Sequence, residues 1–327
     1  DVASKDYYPD KSLTFAGIVG NAGNSILFNA GYGSFQNGSY SSLYLTGGSP
    51  NTDYLIKNQI YTSKANYFYA WPNIYFATSS NQNRYIIFKT DLNTGSTGIL
   101  QQSESHFYYP VKAGNLIFYW GDVNSDGEIN KKLYKTDGST AGTSLVKNLN
   151  INRNSLVSKM ISHNANVYFL ESDSTGCRLW RSNGTSNGTT VVADVHCNFN
   201  NCLPQTPVLM NGCIYFVVDY PSNETYLWKY DIAGNSKQMV SKISDENQKL
   251  DAATPLTASN RYPVSRYGFT VSGNNLYFRG NLSGQRGLWK CNGTSAGTLL
   301  VKPINGELDE FTVVNNRLFF ISSTYKY

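Results

Sequence analysis

The chain has 327 residues, of which 40% are hydrophobic, 14% aromatic and only 15% charged, with a formal net charge of +5. The Lys and Arg residues are scattered rather than striped, which argues against a nucleic-acid partner. No apolar run approaches the roughly 18 residues of a membrane span, which argues against insertion as a helix. With Tyr at 25 and Gly at 28, the surface reads as polar without being ionic, as in a secreted or cell-surface protein that makes neutral hydrogen bonds and aromatic contacts.

In chain order, the first residue is Asp1 rather than Met, as in a processed or excised piece, and Val2-Ala3-Ser4-Lys5-Asp6 reads like the later text Val240-Ser241-Lys242. Ile26–Phe28 then opens a series of apolar-aromatic triplets, continued by Ile74–Phe76, Leu116–Phe118, Val167–Phe169, Ile214–Phe216, Leu276–Phe278 and Leu318–Phe320. Each triplet reads as a strand of β-favouring residues. A turn motif runs in phase with them. It is clearest in LYKTDGSTAGTSLVK (from Leu133), LWRSNGTSNGTTVVA (from Leu179) and LWKCNGTSAGTLLVK (from Leu288), and weaker from Leu43, Ile87 and Leu227. Asn-Gly and Asp-Gly tolerate positive φ and predict tight hairpins. The copies recur every roughly 40 to 60 residues, the period of propeller blades. Apolar spacing at helical period is absent.

These elements predict an all-β chain, a single domain over 1–327, folded as a seven-bladed β-propeller of four-stranded antiparallel blades. The last copy is incomplete after Phe320, so the N- and C-terminal segments are expected to share one blade and close the ring.

The turn text resembles the ELWxxDGTxxGT repeat, found mostly in secreted or surface proteins predicted to be propellers, although the Glu before Leu-Trp is missing throughout. The resemblance covers nearly the whole chain. It implies an extracellular setting and says little about chemistry.

Function is expected where the copies differ, on the end carrying the loops between second and third strands and the blade-to-blade connections. Candidate contact residues there are Tyr32, Phe35 and Tyr40 in a loop over 29–42, Tyr108 and Tyr109 before a first strand, Tyr220 and Tyr226 in another loop, and Tyr262 in a long connection. One loop carries ligand spacing: in D-x-N-x-D-G-x-x-N, Asp122, Asn124 and Asp126 offer side-chain oxygens, Glu128 its carbonyl and Asn130 a closing oxygen. This predicts one structural Ca²⁺ in a loop similar to the calcium hairpins of integrin-type propellers.

Among the five cysteines, a disulfide is expected within Cys177, Cys197 and Cys202, with Cys213 and Cys291 left as thiols. Sequons at Asn37, Asn183, Asn187, Asn223, Asn281 and Asn292 are glycosylation candidates, though Asn-Gly-Thr is also the turn's own chemistry. There are three histidines with no metal-ligand spacing, and no GxSxG, HExxH or nucleotide-binding glycine loop. The chain is therefore expected not to be an enzyme. It reads as an extracellular adhesion or assembly module that binds protein partners or itself. A carbohydrate-binding lectin is the alternative, and a glycan-active enzyme stands behind both.

Overall fold

A computed structural model describes residues 15–22, 25–32, 40–46, 54–61, 66–70, 73–79, 85–93, 96–103, 108–122, 131–149, 156–173, 175–197, 205–222, 224–245 and 267–323. These residues are all-β, as expected, and they form antiparallel meanders. The chain divides into two compact units, Asp1–Asn150 and Ile151–Tyr327.

The first unit holds three sheets of four strands each. They are β1 (Phe15–Ala22), β2 (Ser25–Tyr32), β3 (Tyr40–Thr46) and β4 (Tyr54–Tyr61); β5 (Asn66–Ala70), β6 (Asn73–Ser79), β7 (Tyr85–Asp91) and β8 (Thr97–Ser103); and β9 (Tyr108–Ala113), β10 (Leu116–Asp122), β11 (Lys131–Thr136) and β12 (Ser144–Asn148).

The second unit begins with β13 (Leu156–Val157) and β14 (Ile161–His163), which together form one broken first strand on β15 (Asn166–Ser172), followed by β16 (Gly176–Ser182) and β17 (Thr190–His196). Ser158 bridges the break: its N–H donates to the Leu170 carbonyl, and its Oγ accepts from the Leu170 N–H, both at 2.9 Å. Next come β18 (Val208–Met210), β19 (Cys213–Asp219), β20 (Thr225–Asp231) and β21 (Ser236–Ser244), then β22 (Thr270–Ser272), β23 (Asn275–Leu282), β24 (Gln285–Cys291) and β25 (Leu299–Pro303). A single parallel bridge, Ser244 to Asn281, joins these two meanders. A hairpin of β26 (Glu307–Val314) and β27 (Arg317–Ser323) closes the series. The four-stranded meander repeated in sequence is the blade of a β-propeller.

Register makes the repeat legible. Tyr75 faces Lys89, Phe118 faces Lys135, Tyr168 faces Arg181, Tyr215 faces Lys229 and Tyr277 faces Lys290. This alignment corrects one expectation, because the third triplet is Ile117–Tyr119 rather than Leu116–Phe118. Leu116 pairs with Ala113 at the hairpin, one step before the core position. A bulge recurs on the fourth strand between the apolar and aromatic residues of the third: Leu43/Tyr44, Ile87/Phe88, Leu133/Tyr134, Leu179/Trp180, Leu227/Trp228 and Leu288/Trp289. The extra residue twists the outer edge, which discourages pairing with other chains.

The turn text is a hydrogen-bond circuit. In the blade of β15–β17, Asn183 Oδ1 accepts from the Thr185 N–H at 3.0 Å and from its hydroxyl at 2.8 Å. Thr185 Oγ1 accepts from the Gly188 N–H, and the Thr189 hydroxyl returns to the Thr185 carbonyl. Asp137 and Asn292 make the same bonds to Ser139 and Thr294. The second glycine is required for space, since a Cβ at Gly142, Gly188 or Gly297 would lie within 2.1 Å of that Asp or Asn side chain.

Buried residues gather between neighbouring meanders. One core joins Tyr168, Leu170, Leu179 and Val195 to Ile214, Phe216 and Val218. Another joins Tyr215, Val217 and Leu227 to Leu276, Phe278 and Trp289. A third joins Tyr75, Ile87 and Leu100 to Ile117 and Tyr119. At two of these interfaces a tyrosine and a lysine clasp the turn glycine of the next meander. Lys89 Nζ donates to the Gly138 carbonyl and Lys229 Nζ to the Gly293 carbonyl, each at 3.0 Å.

Candidate functional site

The loop end of the second unit concentrates polar side chains that the strands bring together. β15 and β16 form a hairpin in which Glu171 faces Arg178. Arg178 Nε and Nη2 donate to the two oxygens of Glu171 at 2.6 and 2.9 Å, and Nη2 also donates to Asp173 Oδ2 at 2.6 Å. Glu171 is only 1% exposed, so this fork is the compensation for a buried carboxylate. Burial alone would raise the Asp173 pKa, but the Thr175 hydroxyl and N–H and the Arg178 guanidinium outweigh it and hold the group below its ordinary value.

In the next blade the buried Asp219 accepts from the Thr225 hydroxyl at 2.7 Å, and the buried Tyr267 hydroxyl donates to Thr225 Oγ1 at 2.9 Å. Beside it, Lys242 Nζ reaches Asp245 Oδ1 at 2.6 Å and Glu224 Oε1 at 3.1 Å. Glu224 also accepts from Ser222 and Tyr226, and Asp245 from the Ser283 N–H. The Ser222 hydroxyl first, then Lys242, lowers the Glu224 pKa; Lys242 first, then the Ser283 N–H, lowers that of Asp245. A lowered folded-state pKa gives stability that is present above the ordinary carboxylate range and lost as pH falls through the folded value. Hydrogen-exchange protection factors at 224–245, corrected for the intrinsic rate at each pH, are therefore expected to be high at pH 6 and to fall below about pH 4, well before the sheets open. Protection factors unchanged across that range would refute it.

The candidate contact residues are only partly assembled. Tyr220 and Tyr226 meet edge to face at 5.3 Å. Tyr226 stands in β20 rather than in the loop, and Tyr108 and Tyr109 belong to β9, where Tyr109 has a φ of 47°. Tyr32 pairs with Tyr40 across β2 and β3, so the loop over 29–42 shrinks to residues 33–39. In each case β-favouring residues extend the ladder beyond the loop boundary read from sequence. Phe35 and Tyr262 lie outside the described residues. Asp122 ends β10, and Asn124, Asp126, Glu128 and Asn130 also lie outside them. Among the described residues no group of three or more His, Cys, Asp or Glu could hold a metal ion, and no helix is long and apolar enough to cross a membrane.

Cys213 and Cys291 are free thiols; Cys177 and Cys197 are buried in one core, and Cys202 lies outside the described residues. Asn183 and Asn292 are exposed turn residues, Asn187 is exposed, and Asn281 is half-buried in β23. Asn37 and Asn223 lie outside the described residues. Sequence reading missed the Glu171–Arg178–Asp173 and Glu224–Lys242–Asp245 clusters. In the first, Glu171 and Arg178 are hairpin partners; in the second, Lys242 pairs with Tyr226 and reaches Glu224, just before it in the chain, and Asp245 three residues on, so neither shows before register is known.

No family model and no curated protein matches the chain. Solved structures do. A prolyl endopeptidase structure aligns with 94% of this chain and 46% of its own, at 8% identity and a TM-score of 0.55. An oligogalacturonate lyase in complex with manganese aligns over 90% and 77%, at 12% identity and a TM-score of 0.51. The β-propeller domain of the Trilobed protease from Pyrococcus furiosus aligns over 96% and 92%, at 12% identity and a TM-score of 0.49. The chain thus spans about half the length of the prolyl endopeptidase it matches.

These likenesses are of fold, and they correct the expectation of an adhesion or assembly module: the prolyl endopeptidase and the oligogalacturonate lyase that align with the chain are enzymes. The physical reason is where the tyrosines go. Tyr75, Tyr119, Tyr168, Tyr215, Tyr230 and Tyr267 are each at most 3% exposed. These six tyrosines, none of them a candidate contact residue, are packing rather than contact surface.

Proposed function

We propose that this chain is a β-propeller domain working beside the catalytic domain of a larger peptidase. One observation carries the reading: nearly the whole chain matches less than half of a prolyl endopeptidase described by the role of its inter-domain dynamics in catalysis and specificity. The lack of a nucleophile motif in the sequence supports it, since catalysis then resides elsewhere. The ion-paired loop end of the second unit supplies a stiff rim against which a catalytic domain can dock and move. The test is to purify the native protein carrying this sequence, identified by mass spectrometry, and assay it on prolyl peptides beside the isolated chain. Hydrolysis by the native material and none by the chain alone is expected. Native material without peptide hydrolysis sinks the reading.

The finer architecture belongs to the same proposal: seven blades, with the N-terminal segment completing the blade begun by β26 and β27, in a secreted or surface protein. We also propose that Asp122, Asn124, Asp126, Glu128 and Asn130 hold one Ca²⁺. Calorimetric titration of chelator-stripped protein is expected to show one site that Asp126→Ala abolishes, and identical isotherms for the two proteins would remove it.

A further inference from the structure

The clasp between β7 and the following turn differs from its counterparts at one position. Opposite the clasp residue, the fourth strand carries Ser144 facing Lys135, Thr190 facing Arg181, Gln238 facing Lys229 and Leu299 facing Lys290. Facing Lys89 it carries Gly98. A Cβ built on Gly98 meets nothing within 4 Å. At this position lies a cleft of about 390 Å³, lined by Lys89, Asp91, Gly98, Ile99, Ser139 and Thr140 among others. That volume lies within the range of small-molecule sites.

The lining has a definite chemistry. Lys89 spends one N–H on the Gly138 carbonyl at 3.0 Å and keeps two. Asp91 spends Oδ1 on the Asn93 N–H at 2.8 Å and keeps Oδ2. The two residues stand on the same side of β7, two positions and so about 7 Å apart. Ile99, 50% exposed, borders the cleft from the fourth strand. A positive and a negative side chain from neighbouring positions on one side of β7, beside an apolar residue, suit a ligand carrying both charges and a hydrophobic side chain.

We propose that this cleft binds a small zwitterion, a free amino acid or short peptide, with Lys89 on its carboxylate, Asp91 on its ammonium and Ile99 against its side chain. The site is independent of any catalytic domain. The probe is Gly-Leu, titrated into the full chain by calorimetry and by NMR shifts, beside acetyl-Gly-Leu, Gly-Leu amide and glucose. Binding in about the millimolar range is expected. Blocking either terminus is expected to weaken it about tenfold or more, and glucose not to bind. Gly98→Leu sets its Cβ in open space and its branches in the cleft, and is expected to keep the melting temperature while losing Gly-Leu. Asp91→Asn is expected to reduce affinity for Gly-Leu while leaving that for acetyl-Gly-Leu unchanged. No binding of Gly-Leu, equal binding of the blocked peptides, or unchanged binding by a folded Gly98→Leu overturns the proposal.

Discussion

Arg178→Met is expected to destabilise the second unit by about 3–5 kcal/mol, because it leaves a buried carboxylate without its cation. Glu171 is 1% exposed and both its oxygens rest on the guanidinium. Asp173 loses the same partner, although it keeps the Thr175 N–H and hydroxyl. Met matches the aliphatic stem, so the loss reports charge rather than volume. Urea unfolding at neutral pH measures it. Protonation relieves a stranded carboxylate, so the deficit is expected to narrow as pH falls into the carboxylate range. Arg178→Met with Glu171→Leu is expected to recover much of the loss, since removing both members of a buried pair costs less than removing one. A single-variant deficit under 1 kcal/mol, or no recovery in the double variant, would show that water reaches the pair.

The blades were legible because the sequence repeats the atoms of the turn circuit. The Asp or Asn, the Ser or Thr two residues on, and the second glycine each have a bond or a clash that fixes their identity. Strand order within a meander follows from short connections. The third triplet was misplaced by one residue because Leu116 and Ile117 are equally apolar, and only pairing with Ala113 and Thr136 separates them. The bulge on every fourth strand explains the otherwise puzzling doublets Leu145-Val146, Met239-Val240 and Leu300-Val301. Two successive apolar residues there occupy the position of one.

Function was harder to read for a physical reason. A tyrosine between blades and a tyrosine on a binding loop are the same letter, and composition cannot tell that Tyr75 touches Gly138 while Tyr220 stands by a loop. The charged clusters were invisible for a related reason. Glu171 and Arg178 are seven residues apart, a spacing without meaning until the hairpin aligns them. Gly98 was the most hidden of all. A missing side chain leaves no motif, and its significance appears only when five equivalent positions are placed side by side.

Gly293→Ala is expected to cost about 3 kcal/mol, through two effects that can be separated. Gly293 has a φ of +95°, a conformation that L residues adopt only under strain, and its added Cβ would lie 2.4 Å from the Tyr215 hydroxyl oxygen. That phenol cannot simply retreat. Tyr215 is 3% exposed, and burial, followed by the nearby Cys213 and Cys291, pushes its pKa up to about 12. Gly212→Ala isolates the conformational part, since Gly212 has a φ of +75° with nothing within 4 Å of its Cβ, and about 1 kcal/mol is expected there. Tyr215→Phe isolates the clash. In the Gly293→Ala background it removes the opposing oxygen and is expected to restore about 1 kcal/mol, whereas in the wild type it is expected to destabilise slightly. Thermal melts of the four proteins in that cycle decide the matter. Additive effects of Gly293→Ala and Tyr215→Phe would mean that tyrosine and glycine do not meet, and that the blades are held together by the lysine bond and the core alone.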